Sequence, residues 1–254
     1  MAAPHGRPKA PAPSGEGGAE RRFGKTTSVD DNRASRDAVL ANVRKALGRT
    51  AANERGRADA LAYIAAHRQG PRPAMPQDLV GRFLERATDM ASTVARIASL
   101  HEVPRAVADY LDGLSLPPAL AVQKSHEGVC WPELAALDWP GAGLRVEPRP
   151  TDGHDRLGIT GCFCAVAETG TLVFTTSAAT PTGTMLLPDT HVCVVRADQV
   201  VAGMEEAFAR VRAQHATWPR AVNFVSGPSR TGDIEQTIVL GAHGPFRVHI
   251  LLLG

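Results

Sequence analysis

The stretch "LVGRFLERATDMASTVARIASLHEVPRAVADYLDGL", residues 79–114, decides the fold. Leu79, Val80, Phe83, Leu84 and Met90 recur on one helical face, and 93–98 then reads as a short strand. Val103, Val107, Tyr110, Leu111 and Leu114 follow as a second amphipathic helix. The alternation continues through the strand candidate PALAV (118–122), a weak helix near 132–137 and the strand LRVEP (144–148). Helices of about 10–15 residues alternating with short apolar strands predict βαβ units and a largely parallel α/β sheet.

Beyond residue 157 strands become denser. GCFCAVAETGTLVF (161–174) reads as two short strands around a turn, and HVCVV (191–195) as a third. Asp198 is placed to cap a helix running through Val200, Val201, Met204, Phe208 and Val211. AVNFV (221–225) reads as a buried strand, and FRVHILLL (246–253) as the last one.

Upstream, residues 1–34 are rich in Ala, Pro, Gly and Arg with almost no large apolar side chains, which predicts a disordered leader. Ser35 then offers an N-cap for a helix carrying Val39, Leu40, Val43 and Leu47, closed by Gly48. A second helix over 56–68 stops at Gly70-Pro71. The expected organisation is a leader (1–34) and one domain (35–254), with N-terminal helices in 35–75 and the α/β core in 76–254.

The 28 Lys and Arg against 26 Asp and Glu give a net charge of +2, which argues against a nucleic-acid-binding surface. No apolar run approaches the ~20 residues that span a bilayer. The amino terminus also lacks the apolar block of a secretory signal, so a cytoplasmic protein is expected. Cys130, Cys162, Cys164 and Cys193 form no C-x-x-C pair. On one strand face Cys162 and Cys164 would stand roughly 6.6 Å apart, unfavourable for a disulfide, so core thiols are expected.

Three stretches can carry chemistry. In SGPSRTGDIE (226–235) a Gly-Pro break follows AVNFV, bringing Ser229, Arg230, Thr231 and Asp233 to a sheet edge of the kind where α/β folds bind ligands. With a helix starting near Thr231, free N–H groups, the hydroxyls and Arg230 form a receptor for a carboxylate or phosphate; the alternative is plain N-capping in a loop. In AETGT (167–171), Glu168 is a candidate nucleophile or general base, and Thr169, Gly170 and Thr171 offer hydroxyls and a close backbone approach. The alternative there is a hairpin turn with a solvated acid. His243, between two glycine-containing turns, is the better candidate of the histidines for moving a proton; His191 and His249 sit in strands. No metal-ligand spacing accompanies them, and no cysteine run suits an iron–sulfur cluster.

The series GIT (158–160), AETGTLVF (167–174), LLPDTHVCVV (186–195), SGPSRTGDIE (226–235) and GAHGP (241–245) resembles the LUD domain, formerly DUF162, and within it the lactate-utilization protein C branch. The resemblance implies a Rossmann-like open sheet of the NagB/RpiA/CoA-transferase-like type. It implies participation in oxidation of L-lactate to pyruvate beside two partner proteins that carry the iron–sulfur clusters, with no cofactor on this chain. The wider fold also implies an alternative, a free-standing CoA-transferase-like or sugar-phosphate isomerase-like enzyme with Glu168 as nucleophile or base.

Overall fold

The computed structural model describes residues 29–48, 54–114, 126–234, 237–241 and 243–254. They divide into two compact units, one ending at Arg68 and one running from Gln69 to Gly254. The first unit holds α1 (Val29–Ala46), with Arg44 and Lys45 favourably placed in its last turn, and α2 (Glu54–Ala65). Ser35 lies inside α1 and not at its N-cap, because the helix opens six residues earlier. The expected leader lies outside the described residues up to position 28, as does PALAV.

The second unit is built on a six-stranded, wholly parallel, Rossmann-like sheet. Its strands are β1 (Thr93–Ile97), β2 (Glu127–Cys130), β3 (Arg145–Glu147), β4 (Leu157–Thr160), β7 (Thr190–Arg196) and β12 (Arg247–Leu253). They lie side by side in the order β1-β12-β7-β4-β2-β3. The central strands are buried on both faces and therefore read as unbroken apolar runs such as HVCVV and VHILLL.

Four strands form a second sheet: β5 (Cys164–Val166), β6 (Thr171–Thr175), β8 (Val200–Val201) and β9 (Val222–Val225), in the order β8-β5-β6-β9. It packs on one face of the parallel sheet. Ala165, Leu172 and Phe174 meet Cys193, Val195, Val248, Ile250 and Leu252, and Phe83 and Ala87 of α3 (Leu79–Asp89) complete that core. The other face is covered by α4 (Val103–Gly113), whose Val103, Val107 and Leu111 pack with Ile97, Val192, Val194 and Leu251. Outside the second sheet, Ala207 of α6 (Met204–Gln214) packs on Cys164, Val166 and Val173. A short α5 (Gly183–Leu186) precedes β7, and β10 (Arg230–Ile234) and β11 (Thr237–Leu240) make a separate antiparallel hairpin.

Three expectations change. The helix expected from Asp198 begins only at Met204, because the β-branched Val200 and Val201 pair with Ala165 and Val166 as β8. The weak helix near 132–137 is a 3-10 turn over Pro132–Leu134. No helix starts at Thr231: Arg230 and Thr231 pair with Leu240 and Val239 in β10–β11.

Candidate functional site at the carboxyl edge of the sheet

The topology opens a crevice beside β2. From β2 the chain goes outward to β3, while from β4, on the other side of β2, it leaves for the second sheet and β7. Such a switch point, outside the carboxyl ends of parallel strands, is where open α/β sheets hold ligands. A cleft of about 100 Å³ lies there, lined among others by Glu133 after β2, Gly161 and Cys162 after β4, Val194 and Arg196 of β7, and Gln199. That is below the roughly 300–1,000 Å³ of drug- or cofactor-sized pockets, so the cleft has room for a small molecule and not for a dinucleotide.

Each lining group has a structural reason to be there. The Gln199 side chain ties two strand exits together: its Oε1 accepts the Arg196 backbone N–H at 3.0 Å, and its Nε2 donates to the Cys162 carbonyl at 2.9 Å. Arg196 ends β7 with an exposed side chain, and among the described residues no carboxylate pairs with it. Glu133 reaches over Gly161 from the 3-10 turn after β2. Cys162 is no nucleophile, because its hydrogen bond with Cys193 and its burial hold the thiol well above its ordinary pKa. The cleft thus offers a guanidinium, a carboxylate and an amide, and no thiolate.

Glu168 lies elsewhere. AETGT is the hairpin turn between β5 and β6, and Gly170 has φ +67° with its Cα pressed on the backbone of α3. The Thr169 hydroxyl is 2.6 Å from that of Thr171, which is 2.7 Å from Ser226 Oγ. Glu168 Oε2 and Arg72 Nη2 both come within 3.0 Å of the point a Cβ on Gly203 would occupy. Arg72 is held by Glu206 through two hydrogen bonds of 2.5 Å and by Glu205 at 3.5 Å. The Arg72 bond holds the Glu206 carboxyl below its ordinary pKa, and Glu206 also accepts Gly203 N–H to close the first turn of α6. Glu168 therefore joins two other carboxylates around one guanidinium, a surrounding of net negative charge, and does not line the cleft.

SGPSR and GAHGP adjoin. Ser229 N–H donates to Pro245 O, its carbonyl accepts from Gly241, and its Oγ accepts the backbone N–H of His243 at 3.4 Å. The His243 side chain is exposed. Arg230 and Thr231 open β10, and Asp233 follows within that strand and not in a first helical turn. Arg230 donates to Met90 O at 3.4 Å and faces the edge where β1 and β12 begin, so this segment lies at the amino edge of the parallel sheet and not at its carboxyl edge. The reason is that AVNFV is the edge strand of the second sheet, antiparallel to β6, and the rule on carboxyl ends applies to the strands of the parallel sheet.

Two histidines are interior groups. His191 Nε2 is 2.9 Å from Thr160 Oγ1, and burial lowers its pKa to about 3; His249 stacks on Tyr110 at 3.9 Å, and burial lowers its pKa to about 4. Both are neutral at neutral pH. Among the described residues no group of three or more His, Cys, Asp or Glu could hold a metal ion, and no helix is long and apolar enough to cross a membrane.

Known proteins resemble this chain in sequence and in fold. A protein of Deinococcus radiodurans named lactate utilization protein C is 29% identical over 72% of this chain and 84% of its own length. Its namesake in Bacillus subtilis is 32% identical over 47% of this chain and 55% of its own length. The crystal structure of a DUF162 family protein from Deinococcus radiodurans matches the fold with a TM-score of 0.50 at 24% identity, covering 72% of this chain and 100% of that one. Residues 132–253, from the turn that carries Glu133 to the end of β12, match the LUD domain. By this match the chain carries a LUD domain over residues 132–253.

Proposed function

We propose that this protein serves lactate utilization in the cytoplasm as the cluster-free component of a system that oxidises L-lactate to pyruvate, and that it holds a small organic anion in the carboxyl-edge cleft. The reading takes the pathway from the relatives named lactate utilization protein C. Its site rests on one observation: Arg196, Gln199 and Glu133 converge on a small cleft at the switch point. A carboxylate would pair with the Arg196 guanidinium, and a hydroxyl on the neighbouring carbon could donate to Glu133, the arrangement a 2-hydroxy acid requires.

In this reading the iron–sulfur clusters reside on partner proteins. The burial of Cys130, Cys162, Cys164 and Cys193 supports it. Burial raises the Cys130 thiol to about 11 and that of Cys164 to about 12, and among the described residues the cysteines form no group of three or more that could hold a metal. The alternative, a CoA-transferase-like or sugar-phosphate isomerase-like enzyme acting through Glu168, is disfavoured by the carboxylates of Glu205 and Glu206 at the same arginine, which would repel an anionic substrate.

Purification of the tagged protein from its own cells tests the pathway role. Two iron–sulfur proteins co-purifying in stoichiometric amounts is the expected result, and recovery of the chain alone under anaerobic, low-salt conditions would contradict it.

A further inference from the structure

At the opposite edge of the parallel sheet, where β1 and β12 begin, lies a second pocket, of about 270 Å³. Its polar lining residues are Arg230, Arg247, Thr93 and Tyr110, and Phe246 and Val248 are among its apolar walls. No carboxylate among the described residues lines it.

These walls are held in place. Arg247 Nε and Nη2 donate to Thr190 Oγ1 at 3.0 and 2.9 Å, and its guanidinium carbon stands 5.5 Å from the centre of the Phe246 ring. The Tyr110 ring is fixed by stacking on His249, with an interplanar angle of 9°, and His249 Nδ1 is 2.7 Å from Thr93 Oγ1. Arg230 is different: it is exposed, and its long hydrogen bond to the Met90 carbonyl does not neutralise its charge. Arg230 thus brings its positive charge to a largely apolar space, an arrangement that attracts a counter-charge and is best satisfied by one that brings an apolar body with it.

We propose that this pocket is a second binding site, for an organic anion that joins an oxyanion head, carboxylate or phosphate, to a compact apolar body. Arg230 closes on the head, the preset Arg247 and the Thr93 and Tyr110 hydroxyls orient it, and Phe246 covers the body. The site is separate from the cleft of Arg196, since none of its lining residues is shared.

Titration of the full chain with four probes tests this: phenyl phosphate, benzoate, inorganic phosphate as head alone and phenol as body alone. Either phenyl phosphate or benzoate binds at least about tenfold more tightly than both inorganic phosphate and phenol, and the better of the two identifies the head. Arg230→Gln weakens that binding about tenfold or more, the loss of one charge-assisted contact. Phe246→Leu, which keeps the wall apolar, also weakens it, whereas Arg196→Gln and saturating L-lactate leave it unchanged. The proposal is overturned if neither aromatic anion binds at millimolar concentration or if inorganic phosphate binds as well. It is equally overturned if Arg230→Gln binds normally while melting normally, or if Arg196→Gln abolishes the binding.

Discussion

The carboxylate of Glu133 lies directly over Gly161: a Cβ at position 161 would stand 2.2 Å from Glu133 Oε1. Gly161 is thus what lets a residue leaving β2 reach across the exit of β4 into the cleft. Because the obstructing atom is the end of a flexible side chain, Gly161→Ala should displace Glu133 without unfolding the protein. Stability should change by less than about 1 kcal/mol, within the range of surface substitutions. Affinity for a 2-hydroxy acid should fall by roughly two- to tenfold, the worth of one ordinary hydrogen bond. Melting curves and calorimetry on the same variant read the two effects separately.

Gly170 behaves oppositely. Its φ of +67° is strained for any other residue, and a Cβ there would stand 2.4 Å from the backbone of Arg86 and Ala87. Neither obstacle is a side chain that can swing away. Gly170→Ala should cost at least about 2 kcal/mol, combining backbone strain with displacement of α3 from the second sheet. A urea midpoint within experimental error of wild type would show that the turn does not pack on α3 as described.

Acid should destabilise the fold through its two interior histidines. The ordinary histidine pKa is about 6.5, and burial lowers that of His249 to about 4 and that of His191 to about 3. Between these values the unfolded chain takes up protons that the folded chain refuses, so stability is full above about pH 6.5 and falls as pH falls. The slope is about 1.4 kcal/mol per histidine per pH unit. It ends near pH 4 for His249 and near pH 3 for His191. Denaturant titrations between pH 7.5 and 5 check this, and His249→Gln should remove one proton from the slope.

The four cysteines are free and buried, and Cys162 is largely shielded although it borders the cleft. Shielded by burial, none of them should be modified by a thiol reagent at pH 7.5 in the native protein over minutes, and all four should react after denaturation. Rapid reaction of one thiol in the native state would identify an open Cys162.

Much of the frame was legible from patterning. Leu79 to Met90, Val103 to Leu114, HVCVV and FRVHILLL carry long, regular apolar signals, and α3, α4, β7 and β12 form where those signals predict. EGVC and LGIT, the strands β2 and β4, carry glycine and too few apolar residues to show a period, so two central strands stayed invisible. Val200 and Val201 fit a helical face as well as a strand, and pairing with β5 decides between them. The site followed from the same gap. The rule that ligands sit at carboxyl ends of strands is correct, but its use on AVNFV presumed that strand to be in the parallel sheet. Applied to HVCVV, it leads straight to Arg196 and Gln199, a cation and an amide within four residues of the strand's buried run.

The most direct test of the account is calorimetric titration of the full-length protein with L-lactate and pyruvate, wild type beside Arg196→Ala. Wild type should bind at least one of them. Arg196→Ala should weaken that binding by roughly 10- to 150-fold, the worth of a charge-assisted contact of about 1.5–3 kcal/mol, with its melting curve unchanged. Failure of wild type to bind either acid, or equal affinity in Arg196→Ala, would contradict it.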